Sequence, residues 1–214
     1  MEKRRLGSRR RSWVLAVMGM AILPLFLAMQ AGAAPAAVTN PNYNDGCPPA
    51  APPTGWTVFT TLGSWMQTNV GPAPFPFEGT CSAVGTTSGS AGGAFQTMTS
   101  TTFNAGAGMT LTGWARFLDG EEGGGLCDPS FGVNDLGQVR LLRLGPTEGL
   151  FTVHQFSSTT QGPDSGWVRW TARTPTPGAW AIRYQVANGS DSLCDSTLLA
   201  DANSIGSVSI VPKP

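Results

Sequence analysis

Residues 167–187, WVRWTARTPTPGAWAIRYQVA, hold two alternating runs separated by a turn. In the first, Val168, Trp170 and Ala172 stand against Trp167, Arg169 and Thr171. In the second, Trp180, Ile182, Tyr184 and Val186 stand against Ala181, Arg183, Gln185 and Ala187. A period of two sends alternate side chains to opposite faces of an extended chain, so each run predicts a strand with one apolar face. The intervening Thr174-Pro175-Thr176-Pro177-Gly178 is turn chemistry: proline fixes φ and removes a donor, and glycine tolerates the left-handed region.

The same rule carries outward. MTLTGWARF, residues 109–117, sets Met109, Leu111, Gly113, Ala115 and Phe117 against Thr110, Thr112, Trp114 and Arg116. Further strands are predicted at WTVFTT, AFQTM, QVRLLRL, LFTVHQF and TLLAD, with a last one near SVSIV. Gly- and Pro-rich turns (GPAPFP, NAGAG, GPTEG, QGPDSG and NGSD) fall between them. Beyond the N-terminus no segment keeps a helical period. Short strands at this spacing over roughly 160 residues predict one all-β antiparallel sandwich or barrel, long enough to enclose a full core.

The N-terminus reads differently. Lys3, Arg4, Arg5, Arg9, Arg10 and Arg11 precede an apolar run from Trp13 to Met29, and Ala31-Gly32-Ala33 supplies small residues at a cleavage position. That order predicts a secretory signal peptide over residues 1–33, a Pro/Ala-rich arm over 34–54 and the β-domain over 55–214. The expected location is extracellular or periplasmic, with no membrane span left after cleavage.

The chain carries 13 basic and 13 acidic residues. Six basic residues and one acidic residue precede Ala34, leaving seven against twelve, a net charge of about −5. No basic stripe remains for nucleic acid. Cys47, Cys81, Cys127 and Cys194 all follow the signal, and an even count in an exported chain predicts two disulfides with three possible connectivities. Zinc is a poor alternative, with no C-x-x-C and His154 as the only histidine.

The closing segment supports a resemblance. Trp170, Gly178, Tyr184, Val186-Ala187-Asn188 and Asp195-Ser196-Thr197-Leu198-Leu199-Ala200-Asp201 resemble the ending of galactose-binding-like jelly rolls. That architecture is found in carbohydrate-binding modules and in bacterial surface proteins with PEP-type sorting tails. The resemblance implies a single jelly-roll β-sandwich, a partner that is a glycan or another surface protein, and a structural calcium as cofactor. Val211-Pro212-Lys213-Pro214 resembles the start of a sorting tail without its anchor, which implies release. The neighbouring strands of such a fold, together with the matched segments Leu126-Cys127-Asp128 and Leu193-Cys194-Asp195, imply a Cys127–Cys194 bridge. Cys47–Cys81 would then tie down the arm.

Several chemistries can be weighed on named residues. Asp164-Ser165-Gly166 with His154 would be the material of a serine hydrolase, but an alternating strand and a tight turn account for both. Glu78, Asp119, Glu121, Glu122 and Asp128 offer carboxylates for glycoside hydrolysis, though no spacing selects a pair. Hard cations take oxygen ligands, so Asp119, Glu121 and Asp128 in the acidic segment, and Asp201 by the resemblance, are the candidate calcium ligands. The segment is not an EF-hand, because Gly123 and Ser130 occupy positions that need oxygen-bearing and glutamate side chains. Asn188-Gly189-Ser190 is formally a glycosylation sequon and equally an Asn-Gly turn.

With the Tyr184 face inward, Trp167, Arg169, Arg183 and Gln185 project outward, as do Trp114 and Arg116. An aromatic ring can cover a pyranose while Arg and Gln bond its hydroxyls, so these six are the candidate ligand-binding residues. The expectation is a secreted, non-catalytic glycan-binding module. The alternatives are a structural surface-matrix protein and, behind it, a secreted hydrolase.

Overall fold

The computed structural model describes residues 37–47, 52–69, 79–87, 93–120, 135–146, 148–189 and 194–205. The signal segment 1–33, Glu78, Glu121, Glu122, Cys127, Asp128 and the expected strand SVSIV lie outside the described residues. From Pro35 onward the chain forms one compact unit.

Eleven strands are described: β1 (Trp56–Phe59), β2 (Ser64–Thr68), β3 (Ser82–Thr86), β4 (Gln96–Ser100), β5 (Phe103–Ala105), β6 (Thr110–Leu118), β7 (Leu136–Leu144), β8 (Gly149–Ser157), β9 (Val168–Arg173), β10 (Gly178–Ala187) and β11 (Thr197–Ile205). A single helical turn, α1 (Ser158–Gln161), follows β8. The first sheet runs β1-β4-β10-β7-β8, with β5 pairing the other end of β10, and the second runs β2-β3-β11-β6-β9. Every pairing is antiparallel. The result is the expected two-sheet jelly-roll sandwich. Among the described residues no helix is long and apolar enough to cross a membrane.

The alternation read from residues 167–187 is present. Trp180, Ile182, Tyr184 and Val186 are fully buried, and Trp170 joins them from β9. Burial of each large side chain stabilises by roughly 1.5–3 kcal/mol. The two strands do not pair with each other, however: β9 lies beside β6 and β10 between β4 and β7. The TPTPG turn therefore steps from one sheet to the other, and Trp170 and Tyr184 meet across the sandwich interior. Trp170 Nε1 donates to Tyr184 Oη at 3.0 Å, Tyr184 Oη donates to Asn203 Oδ1 at 2.5 Å, and Asn203 Nδ2 donates to Tyr43 Oη at 2.8 Å.

Tyr43 and Val38 are buried members of this core, so the segment over 37–47 is built into the sandwich although Gly55 was expected to open it. Its backbone needs two non-glycine residues in the left-handed region, Asn40 and Tyr43, held there by the core contacts of Tyr43 and by Asn40 Oδ1 accepting from Asp45 N–H at 3.0 Å. Two inward glycines make room for tryptophans. A Cβ on Gly85 would fall 2.4 Å from the Trp65 ring, and one on Gly113 would fall 2.5 Å from the Trp170 ring.

The Cys47–Cys81 disulfide forms as expected, with Cα atoms 6.1 Å apart. Cys194 is buried and disulfide-bonded, while Cys127, its expected partner, lies outside the described residues. Leu118 pairs with Thr197 and Leu136 with Ala187, so the connections carrying Cys127 and Cys194 leave the same end of the sandwich.

Candidate functional site

The six candidate ligand-binding residues are divided between two faces. Trp114 and Arg116 (β6) and Arg169 (β9) lie on the outer face of the second sheet, with Trp167 in the segment before β9. Arg183 and Gln185 lie on the outer face of the first sheet, on β10. No single ligand can touch both sets through a sandwich.

On the second sheet, Trp114 stands in register between Asp201 of β11 and Arg169 of β9. Trp114 and Trp167 are half-buried, and Arg169 is exposed. Arg116 is buried beneath the turn that follows α1, where its guanidinium forks onto Asp164: Nε to Oδ1 at 2.9 Å and Nη2 to Oδ2 at 2.5 Å. Those bonds, with the Gly166 N–H, hold the Asp164 carboxyl below its usual range. Arg116 points outward as expected, but it clamps the 162–167 turn.

The hydrolase components are not assembled. Ser165 Oγ accepts from Phe117 N–H at 2.9 Å and donates to the Gly166 carbonyl at 2.8 Å. His154 belongs to β8 in the other sheet, packs its ring edge-on against Phe156 at 4.5 Å, and is pushed down in pKa by burial.

Of the expected calcium ligands, Asp119 and Asp201 are described, and they lie apart. Asp201 is fully buried; its Oδ2 accepts from the Ser82 hydroxyl at 2.8 Å and its Oδ1 from Ala202 N–H at 2.8 Å. Asp119 lies 3.5 Å from the Ser196 hydroxyl, five residues along β11 from Asp201. At about 3.3 Å per strand residue, this separation is roughly 16 Å, too far for one ion. Ser196 also donates to Asp135 Oδ2 at 2.6 Å, and Asp135 Oδ1 accepts from Gly189 N–H at 2.8 Å. Those donors satisfy the fully buried Asp135 carboxylate from within the protein. No group of three or more metal-binding side chains occurs among the described residues. Asn188 beside them is 0% exposed, which seals its side-chain amide from a glycosylating enzyme.

The outer face of the first sheet is also polar. Two registered rows cross all five strands of its main path. One reads Thr57, Thr99, Arg183, Arg140, Thr152; the other reads Phe59, Thr97, Gln185, Gln138, Gln155. The alternation that buries Met98, Val139 and Tyr184 turns these side chains the other way. Gln138 Nε2 donates to Gln155 Oε1 at 2.7 Å, and Gln185 Nε2 donates to Gln138 Oε1 at 2.8 Å, so an amide ladder joins three strands. Gln185 and Gln138 are only 2% and 9% exposed, forming a rigid floor, whereas Phe59 at the rim is 67% exposed and Leu62 beyond it 66%. Four strand spacings make the face about 19 Å wide, the span of an oligosaccharide.

Arg183 and Gln185 were legible as members of this face. Phe59, Thr97, Thr99, Gln138, Arg140 and Gln155 were not singled out. The signal for Gln138 and Arg140 lay in QVRLLRL, where Val139 and Leu141 alternate with them. The signal for Phe59 was an aromatic out of phase with the buried Trp56 and half-buried Val58.

No family model and no curated protein matches the chain. Solved structures do. One, of carbohydrate-binding modules from the β-sandwich superfamily, aligns with a TM-score of 0.50 at 18% identity over 77% of this chain and 60% of that one; this chain thus spans less than two thirds of it. The K1 cleaved adhesin domain of Lys-gingipain from Porphyromonas gingivalis aligns with a TM-score of 0.50 at 12% identity, over 83% of this chain and all of that one. The C-terminal family 22 carbohydrate-binding module of Clostridium thermocellum Xyn10B gives 0.47 at 11% identity, over 80% and 93%. At such identities the likeness is one of fold: the chain is a jelly-roll β-sandwich, as expected from its alternating strands.

Proposed function

We propose that this protein is a secreted, non-catalytic glycan-binding module whose ligand lies across the outer face of the first sheet. The observation that carries the reading is the pair of registered rows there: a fixed amide ladder, flanking threonine hydroxyls and two arginines, on a face whose rim carries the exposed ring of Phe59. Ligand sites combine an apolar wall with a few fixed polar groups, and hydrogen-bonding groups already locked by neighbours lose little freedom on binding. A similar fold occurs in carbohydrate-binding modules, which supports the reading without naming a sugar.

Affinity electrophoresis through gels containing soluble polysaccharides tests it. Retardation by at least one polysaccharide is expected, lost on Phe59→Ala and weakened on Gln155→Ala. Binding that survives Phe59→Ala and disappears in Trp114→Ala would move the site to the other sheet; no retardation by any polysaccharide would overturn the reading. A second reading, a surface-matrix interaction protein, is favoured by Leu150 and Phe151, which are exposed on the edge strand β8. It predicts concentration-dependent self-association in sedimentation, abolished by Phe151→Lys.

A further inference from the structure

Arg183 of β10 and Arg140 of β7 are direct register partners on the proposed binding face. Like charges placed opposite each other on neighbouring strands repel, and sheets ordinarily avoid the arrangement. Among the described residues nothing of opposite charge relieves it. Arg116 is paired with Asp164 on the other sheet, and no described carboxylate meets Arg140 or Arg183. The side chains flanking the pair in its row are the hydroxyls of Thr99 and Thr152, and the next row is amide.

The donors are aimed as well as unpaired. Arg183 Nε donates to Thr99 Oγ1 at 3.1 Å, which fixes the plane of its guanidinium and leaves its terminal nitrogens without a described acceptor. Arg140 Nε is buried with no acceptor among the described residues. Burial, and then the neighbouring Arg183, both lower the Arg140 pKa, as two crowded cations would. An unrelieved cation pair is out of keeping with a chain that is about −5 once its basic leader is set aside.

A planar guanidinium fork matches the two oxygens of a carboxylate or the oxygens of a sulfate ester. Two cations bordered by neutral hydroxyls and amides do not make the long basic track that a nucleic acid needs. They suit one negative group per repeat of an otherwise hydroxyl-rich chain. We propose that Arg140 and Arg183 form an anion subsite, so that the polysaccharide recognised is an acidic one, with uronate or sulfate oxygens bridging the two guanidinium groups. This rests on the glycan-binding reading and names its ligand class.

The test uses the intact chain in affinity electrophoresis against four probes: polygalacturonate, its carboxyl-reduced neutral counterpart, chondroitin sulfate and neutral arabinoxylan. Polygalacturonate or chondroitin sulfate should bind about tenfold or more tighter than either neutral probe, and added salt should erode the preference. Retention of polygalacturonate shows that a carboxylate suffices, whereas retention of chondroitin sulfate (which carries uronate as well as sulfate) without polygalacturonate shows that sulfate is required. Arg183→Gln and Arg140→Gln should each remove most of the preference while keeping residual neutral binding. Arg183→Lys, which keeps the charge and loses the fork, should fall between, and unchanged melting temperatures show that the variants are folded. Equal binding of acidic and neutral probes, or a preference unmoved by both glutamine variants, overturns the inference and leaves the glycan reading standing. Retention of none of the probes, with neutral glycans bound elsewhere in a wider panel, also overturns it; no binding to any glycan removes both.

Discussion

Asp164→Ala would remove the carboxylate that faces Arg116, and the size of the loss follows from the unequal burial of the pair. The Arg116 side chain is 6% exposed and that of Asp164 41%. Removing one partner of a fully buried pair costs about 3–5 kcal/mol, because a charge is left without solvent or counterion. An exposed pair contributes about 0–1 kcal/mol. Here the charge that loses this partner is the buried one and solvent screens the other, so the expected loss falls between the two limits, at about 2 kcal/mol. For a domain of this length that is roughly a 4–8 °C drop in melting temperature. Adding Arg116→Met to Asp164→Ala should recover part of the loss, since no charge then remains under the turn.

The acid limb supplies a second readout of the same pair. The Arg116 hydrogen bonds hold the Asp164 carboxyl below its ordinary value of 3.8, against the opposing effect of burial. A depressed folded pKa stabilises the fold fully above the unfolded value and loses that contribution as pH falls through the folded one. The gap between wild type and Asp164→Asn should therefore be constant at neutral and mildly acidic pH, then narrow below about 4. Urea denaturation followed by tryptophan fluorescence measures both arms. A cost under about 0.5 kcal/mol, within the range of a surface pair, or a gap that widens on acidification, would refute the assignment of Arg116 as a buried clamp.

Other perturbations test the interior. Gly113→Ala and Gly85→Ala place a methyl where the Trp170 and Trp65 rings lie, and each should cost about 1–3 kcal/mol by overpacking, read as a lower urea midpoint. Tyr184→Phe strands both the Trp170 indole N–H and Asn203 Oδ1, so a loss of about 1–3 kcal/mol is expected by thermal melting. Replacing Cys47 and Cys81 together by alanine frees a crosslink of sequence separation 34, a chain-entropy cost of about 3–4 kcal/mol, and should expose the 37–47 segment to limited proteolysis first.

The strands whose faces were read most clearly in advance are those whose inward positions are all apolar. MTLTGWARF and WAIRYQVA became β6 and β10 with the predicted faces. β2 and β3 escaped notice for a physical reason. The inward residues of β2 include Gln67, 3% exposed, whose amide donates to the Tyr43 and Asp45 carbonyls. A polar side chain satisfied by a distant segment breaks the pattern while the strand stays buried. β5, three residues long, is too short to show a period. At the site, alternation revealed that Arg183 and Gln185 face outward. It could not show that Arg140 lies beside Arg183, because that depends on the register of two strands about forty residues apart.

By itself the sequence determined the all-β class, the inward and outward faces of its longer strands, and an export-type N-terminus with paired cysteines as an expectation. These follow from local chemistry, since period, turn residues and side-chain type are properties of neighbouring residues. Only the tertiary structure decided that the two strands of residues 167–187 belong to different sheets, that Arg116 is spent on Asp164, and that Arg140, Arg183 and the glutamine ladder share one face. Those are matters of register and sheet assignment, fixed by which distant strands bury each other's apolar faces best.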